Sequence, residues 1–110
     1  MDGEFEVRRH DVFKAWQKEL KNSRNKRLRT KVAERLRSIR GGNLGRHKSV
    51  GGGVSELIID YGPGYRIYYT KRAQDIIFLL CAGDKSEQKN DIKLARLLAK
   101  EVQSEKKKRL

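Results

Sequence analysis

Between Tyr61 and Asp91 the chain reads YGPGYRIYYTKRAQDIIFLLCAGDKSEQKND, and two of its residues could do chemistry on a phosphate. Arg66 interrupts an otherwise apolar strand pattern, and such an interruption in a clean pattern marks a working surface. Lys85 stands at the Gly83-Asp84-Lys85 corner that ends the next apolar run. A guanidinium presents a rigid fork of donors to phosphate oxygens, and an ammonium presents a compact charge. Cleavage of RNA by its own 2′-hydroxyl needs such charge against the developing phosphorane, and groups that move two protons. Lys85, crowded by other cations, is a candidate for proton transfer. Tyr61, Tyr65 and Tyr68 supply rings for stacking on bases or for placing a proton. Tyr65 and Tyr69 alternate with Arg66 and are read as core residues, whereas Tyr68 shares the face of Arg66. Arg66 has an alternative reading as a salt-bridge partner, and Lys85 as a solvated loop residue. As a residue on a sheet face, Arg66 is expected to be removable with little loss of thermal stability.

These residues must be held by a small sheet. Glu4 to Arg9 alternates apolar and charged residues and reads as a short strand. Asp11 is a candidate N-cap for a helix carrying Phe13, Trp16 and Leu20 on one stripe, with Trp16 as a core anchor. After the polar break Asn22 to Asn25, a second helix runs from about Lys26 to Ile39. Leu28, Val32, Leu36 and Ile39 form its apolar face, and Gly41-Gly42 stops it. Asn43 to Gly53 reads as a glycine-rich basic loop, in which Arg46, His47 and Lys48 could face a phosphate chain. Its three glycines lack the spacing of a Walker motif. Strands are expected at Val54–Tyr61, Tyr65–Thr70 and Ile76–Ala82, with a hairpin turn at Tyr61-Gly62-Pro63-Gly64. The unalternating run Ile76–Ala82 suits a central strand covered on both faces. Asp84 and Glu87 resemble a capping box before a helix from about Glu87 to Ser104. The expected fold is therefore α+β in the order β-α-α-β-β-β-α. It has a small, mainly antiparallel sheet, an N-terminal helical hairpin, a C-terminal helix and a frayed basic tail over about 105–110.

The 110 residues suit one domain, which can bury roughly 65% of its unfolded surface. Lys and Arg number 27 against 14 Asp and Glu, so the net charge is +13, and the expected partner is a polyanion, nucleic acid first. No Cys/His cluster suggests a zinc site, so no metal and no cofactor are expected. The one cysteine, Cys81, lies in an apolar run and reads as a buried core residue. No signal peptide and no membrane span are legible, and a cytoplasmic location is the default expectation.

The run GVSELIIDYGPGYRIYY, followed by LLCAGDKSEQKNDI, resembles the RelE/ParE toxin superfamily, and within it the HigB-like addiction module killer protein group. The likeness extends from Phe13 to about Glu101, and the two segments are specific in combination. It implies the toxin of a type II toxin–antitoxin pair: a metal-independent endoribonuclease, or mRNA interferase, acting on messenger RNA at the translating ribosome. In that pattern Arg66 is the strand arginine of the GYR segment, Lys85 the basic residue after the last strand, and Lys48 the basic residue before the sheet. The resemblance further implies a cognate antitoxin, often a helix-turn-helix protein, with operator DNA reached only through the complex. Two positions depart from the pattern. Asp91 stands where many RelE-like enzymes carry a base-stacking tyrosine, and Ile58 where the killer group carries a basic residue. ParE-like relatives inhibit DNA gyrase by binding, so the fold admits that alternative. A nucleic-acid-binding module without catalysis is a third reading.

Overall fold

The computed structural model describes residues 4–108. It is an α+β fold with a five-stranded mixed sheet in the order β1-β5-β4-β3-β2. The strands are β1 (Glu6–Arg9), β2 (His47–Gly51), β3 (Val54–Ile59), β4 (Tyr65–Arg72) and β5 (Ile76–Asp84). The helices are α1 (Asp11–Asn22), α2 (Lys26–Arg40) and α3 (Gln88–Lys108). β1 joins the edge of β5 in parallel, and the other three pairings are antiparallel. A short 3-10 turn, Lys85–Glu87, links β5 to α3.

Both faces of the sheet are covered. Phe13 and Leu20 of α1 and Leu28, Val32, Leu36 and Ile39 of α2 pack on Leu57, Ile59, Ile67, Tyr69, Ile77 and Leu79. On the opposite face Ala95, Leu98, Ala99 and Val102 of α3 pack on Val54, Tyr68, Leu80 and Cys81. A register shift opposite Tyr68 and Tyr69 leaves Leu80 as an extra residue in β5. This bulge puts both Leu80 and Cys81 under α3, which is why β5 reads as an unbroken apolar run. Cys81 is buried, as expected, and burial pushes its thiol up to about 12. Trp16 lies 5.7 Å from Phe13 ring to ring and packs beside the core.

Three expectations are corrected. The basic loop Asn43–Gly53 contains a strand, β2, which makes the sheet five-stranded. Its sequence HKSVG exposes nearly every side chain, so it carries no apolar alternation, and pairing with β3 alone defines it. The N-cap of α1 is His10, whose Nδ1 accepts from the Val12 N–H; Asp11 lies inside the helix. The last helix continues beyond Ser104 to Lys108, and residues 109–110 of the expected frayed tail lie outside the described residues.

Arg35 fixes the segment that leads into β2. Its Nη1 donates to the Ile58 carbonyl at 2.6 Å, its Nε to the Leu44 carbonyl at 3.2 Å, and its Nη2 to the carbonyls of Leu44 and Arg46. One planar cation thereby satisfies three backbone acceptors, a pattern that a lysine cannot reproduce. Arg35→Lys is expected to cost about 2 kcal/mol, since bonds to a charged donor are worth roughly 1.5–3 kcal/mol each and a lysine keeps some of them. Urea unfolding checks this, with a lower midpoint and an unchanged slope as the expected result.

Candidate functional site

The sheet register builds two rows of side chains on the face that α3 covers. In one, the Ile58 N–H donates to the Arg46 carbonyl at 3.0 Å, Ile58 pairs with Arg66, and Arg66 pairs with Gly83. In the next, Lys48 pairs with Glu56, Glu56 with Tyr68, and Tyr68 with Cys81. Glu56 and Arg66 therefore lie diagonally across neighbouring strands, within reach of long side chains.

They form an ion pair, with Arg66 Nε donating to Glu56 Oε2 at 2.9 Å. The arginine side chain is 12% exposed and the glutamate is fully buried. The other carboxylate oxygen, Oε1, accepts from Gln88 Nε2 at 2.8 Å, where α3 begins. One buried carboxylate thus ties β3, β4 and α3 together, and Arg66 Nη1 also donates to the Tyr65 carbonyl at 3.2 Å.

The rest of Arg66 opens to a shallow polar depression shared with Arg46, Asp60, Tyr61, Gly64 and Lys85. The turn builds its floor: the Gly64 N–H donates to the Tyr61 carbonyl at 2.9 Å, and the Gly64 carbonyl accepts from the Lys85 N–H at 2.9 Å. Gly64 sits at φ +89°, and a Cβ there would lie 3.6 Å from Arg66 Nη1 and 3.7 Å from Lys85 Cβ. The positive φ calls for glycine in this turn, and the guanidinium and the lysine flank it at ordinary contact distance. Arg46 faces the same depression but is ion-paired with Asp60. The Tyr61 hydroxyl is 3.2 Å from Asn25 Oδ1, which ties the depression to the start of α2.

Other expected residues lie apart. Lys48 is exposed on β2, on the α3 side of the sheet but outside the depression. His47 pairs with Leu57, whose side chain lies in the core beneath α1 and α2, so His47 is on the opposite face from Arg66. Tyr68 corrects an expectation: the alternation that puts it beside Arg66 also puts it beneath α3. It is fully buried, with no open ring face for a base. Its hydroxyl finds no partner, and burial, then Glu56, raise its pKa above the ordinary value.

Asp91, at the position where the resemblance puts a base-stacking tyrosine and so a contact with RNA, rests on β5. Its Oδ2 is buried without a partner, and a Cβ on Gly83 would lie 2.2 Å from that oxygen. Only glycine leaves that room. Burial first, then the carboxylates of Glu87 and Asp84, raise the Asp91 pKa. Asp84 is the opposite case: hydrogen bonds from Ser86 hold its carboxylate low.

Sequence reasoning missed Glu56, Gln88 and Asn25. The signal for Glu56 was present, because VSELII places one charged residue inside an apolar strand just as YRIYY does. Two opposite charges interrupting adjacent strands suggest a cross-strand pair.

The fold and site define an α+β protein with a five-stranded mixed sheet and a basic depression at the β3–β4 turn. No family model matches the chain, and no solved structure matches it. It is 46% identical over 91 residues to an uncharacterized protein of Haemophilus influenzae, a match covering 83% of this chain and 89% of that protein. The chain belongs to the same family as that protein.

The ion pair reverses the expectation that Arg66 is dispensable for stability. Arg66→Ala strands a buried carboxylate and is expected to cost about 3–5 kcal/mol. Adding Glu56→Gln should recover most of the loss. Equal losses in the single and double variants, by thermal unfolding, would contradict this account of the pair.

Asp91 makes a pH-dependent prediction. A carboxyl whose folded pKa is raised burdens the fold above that pKa, and the burden lifts as pH falls through it toward the unfolded value of about 3.9. Asp91→Asn is therefore expected to raise the thermal midpoint at neutral pH. The gain should shrink through the acid range and vanish below about pH 4. A gain that is constant with pH would assign the effect to shape instead of charge.

Proposed function

We propose that this chain is the toxin of a type II toxin–antitoxin pair and cuts messenger RNA at the ribosome without a metal. The observation that carries the reading is the convergence of Arg66 and Lys85 on the Gly64 corner. In this reading a scissile phosphate sits in the depression, and Arg66 and Lys85 bind its non-bridging oxygens. The 2′-hydroxyl oxygen attacks phosphorus and its proton passes to water. The bond from phosphorus to the 5′-oxygen breaks, and that oxygen takes a proton from Lys85. The products are a 2′,3′-cyclic phosphate and a free 5′-hydroxyl. Glu56 acts by positioning: it fixes Nε of Arg66 and leaves the outer edge of the fork for substrate. The RelE/ParE resemblance supports the same assignment, together with a helix-turn-helix antitoxin that masks the basic surface. Operator DNA is then reached only through the complex.

One observation favours the second reading, a ParE-like gyrase inhibitor. The charge of Arg66 is compensated by Glu56, and Ile58 adds no cation to the row, so the depression offers less free charge to a phosphorane than the sequence suggested.

Primer-extension mapping on a defined message in a translating extract separates the two. Lys85→Ala is the sound control, because Lys85 is exposed and its loss strands no buried group. Cuts at fixed codon positions are expected from the native protein. They should fall by about 10²–10³-fold in Lys85→Ala, the usual cost of one preorganised donor, with the thermal midpoint unchanged. No cuts from protein that still arrests growth would overturn the nuclease reading and leave gyrase inhibition.

A further inference from the structure

α2 breaks a rule that the other helices keep. α1 and α3 each place an acidic residue in the first turn, Asp11 and Asp91. α2 has none there and begins KRLR instead, which puts Lys26, Arg27 and Arg29 at the positive end of the helix dipole. Cations at that end are unfavourable by about 0.3–1 kcal/mol each. Arg29 gains a bond to the Lys21 carbonyl in the last turn of α1, but Lys26 and Arg27 gain no side-chain bond among the described residues, and a local rule broken without a structural gain points to function.

The surface around this helix end gives the reason. A second depression is lined by Lys26, Arg27, Thr30, Lys31, Glu34 and Tyr61. Tyr61 also lines the Arg66–Lys85 depression, so the two adjoin at that residue. A third depression shares Lys31 and Glu34 with the second, and Arg46 and Asp60 with the first. The first two form one surface track that runs from the start of α2, past Tyr61, to Arg66, and the third flanks it. The bond between the Tyr61 hydroxyl and Asn25, the N-cap of α2, holds the two halves together. Arg46 is matched by Asp60, Arg66 by Glu56, and Arg35 is engaged by backbone carbonyls, which leaves Lys26, Arg27, Lys31 and Lys85 against Glu34.

A run of exposed cations with an aromatic ring at its middle has the chemistry of a single-strand site, in which the cations follow phosphates and the ring stacks a base. We infer that single-stranded RNA lies along this track, with its scissile phosphate at Arg66 and its flanking phosphates on Lys26, Arg27 and Lys31. The inference extends the nuclease reading and rests on it for the placement of the scissile phosphate. A helix start is also an anion site in its own right, which adds to the pull on the distal phosphates.

The test uses the full chain and 2′-O-methyl RNA, which has no nucleophile and so reports binding without cleavage. Single strands of about 4 and about 16 nucleotides bracket the usual site sizes. Fluorescence anisotropy compares the native protein with K26A/R27A/K31A and with K89A/K93A/K100A, a charge-matched control on exposed positions of α3. The longer strand is expected to bind the native protein at least about tenfold more tightly than the shorter one. The α2 variant should lose that advantage, and the slope of log affinity against log salt should become shallower by about 2, at roughly 0.7 for each lost phosphate. The α3 variant should keep both. Equal losses in the two variants would overturn the track in favour of general electrostatics, and so would equal binding of a duplex of the same length. Because no cleavage is read, an absence of cuts in the mapping experiment leaves this result standing, and failure of the track leaves the cuts standing.

Discussion

The ion pair between Glu56 and Arg66 is the constraint around which the site is built. A fully buried carboxylate must be compensated, because the penalty for taking it out of water is several kcal/mol. Arg66 supplies the charge and Gln88 the second hydrogen bond. Replacing such a pair by apolar residues is often neutral or stabilising, so its presence is not explained by stability. What the pair does supply is geometry. It fixes the guanidinium against β3, with Nη1, which also donates to the Tyr65 carbonyl, toward the Gly64 corner. It also ties the first turn of α3 to the middle of the sheet, so Lys85, just before that helix, is placed by the same contact.

Arg35 does for the other end of β3 what Arg66 does for its middle. Both guanidiniums reach into partly buried polar positions and hold backbone or carboxylate there. Arg35 gathers the carbonyls of Leu44, Arg46 and Ile58, and this brings the polar strand β2 into register where apolar patterning would not. A strand with the sequence HKSVG has little burial of its own to offer. It forms because β3 presents an unpaired edge and because the preceding loop is clamped.

The elements that bury a clear apolar stripe were legible in the sequence: α1, α2, α3, and the strands β3, β4 and β5 with the turn between β3 and β4. β1 was legible too, from its alternation, but β2 was not, because HKSVG offers one partly buried apolar residue, Val50, and so no period. At the site, Arg66 stood out as a charge in an apolar strand, and Lys85 followed it at the next strand end. The compensating Glu56 carried the same signal with the opposite sign and went unread. Tyr68 was misread for a physical reason. Alternation places side chains on a face of a sheet, but does not say whether a later helix will cover it. Asp91 lay beyond sequence reasoning as well, since its setting depends on the close approach of α3 to Gly83.

The departures from local rules are not scattered. A cationic helix start at Lys26 and a buried pair at Glu56 and Arg66 each work against stability. One series of contacts joins them: Asn25 to the Tyr61 hydroxyl, Tyr61 through its turn to Gly64, Gly64 to Lys85, and Gln88 back to Glu56. Elsewhere the chain obeys its own pattern, with apolar stripes buried, acids at the starts of α1 and α3, and cations at the end of α2. A sequence that is consistent over most of its length and inconsistent at one connected end has had that end shaped by something other than folding. The type of inconsistency matches the chemistry of the proposed ligand. Cations are held where the fold alone would place acids, and that is the arrangement the proposed RNA strand requires.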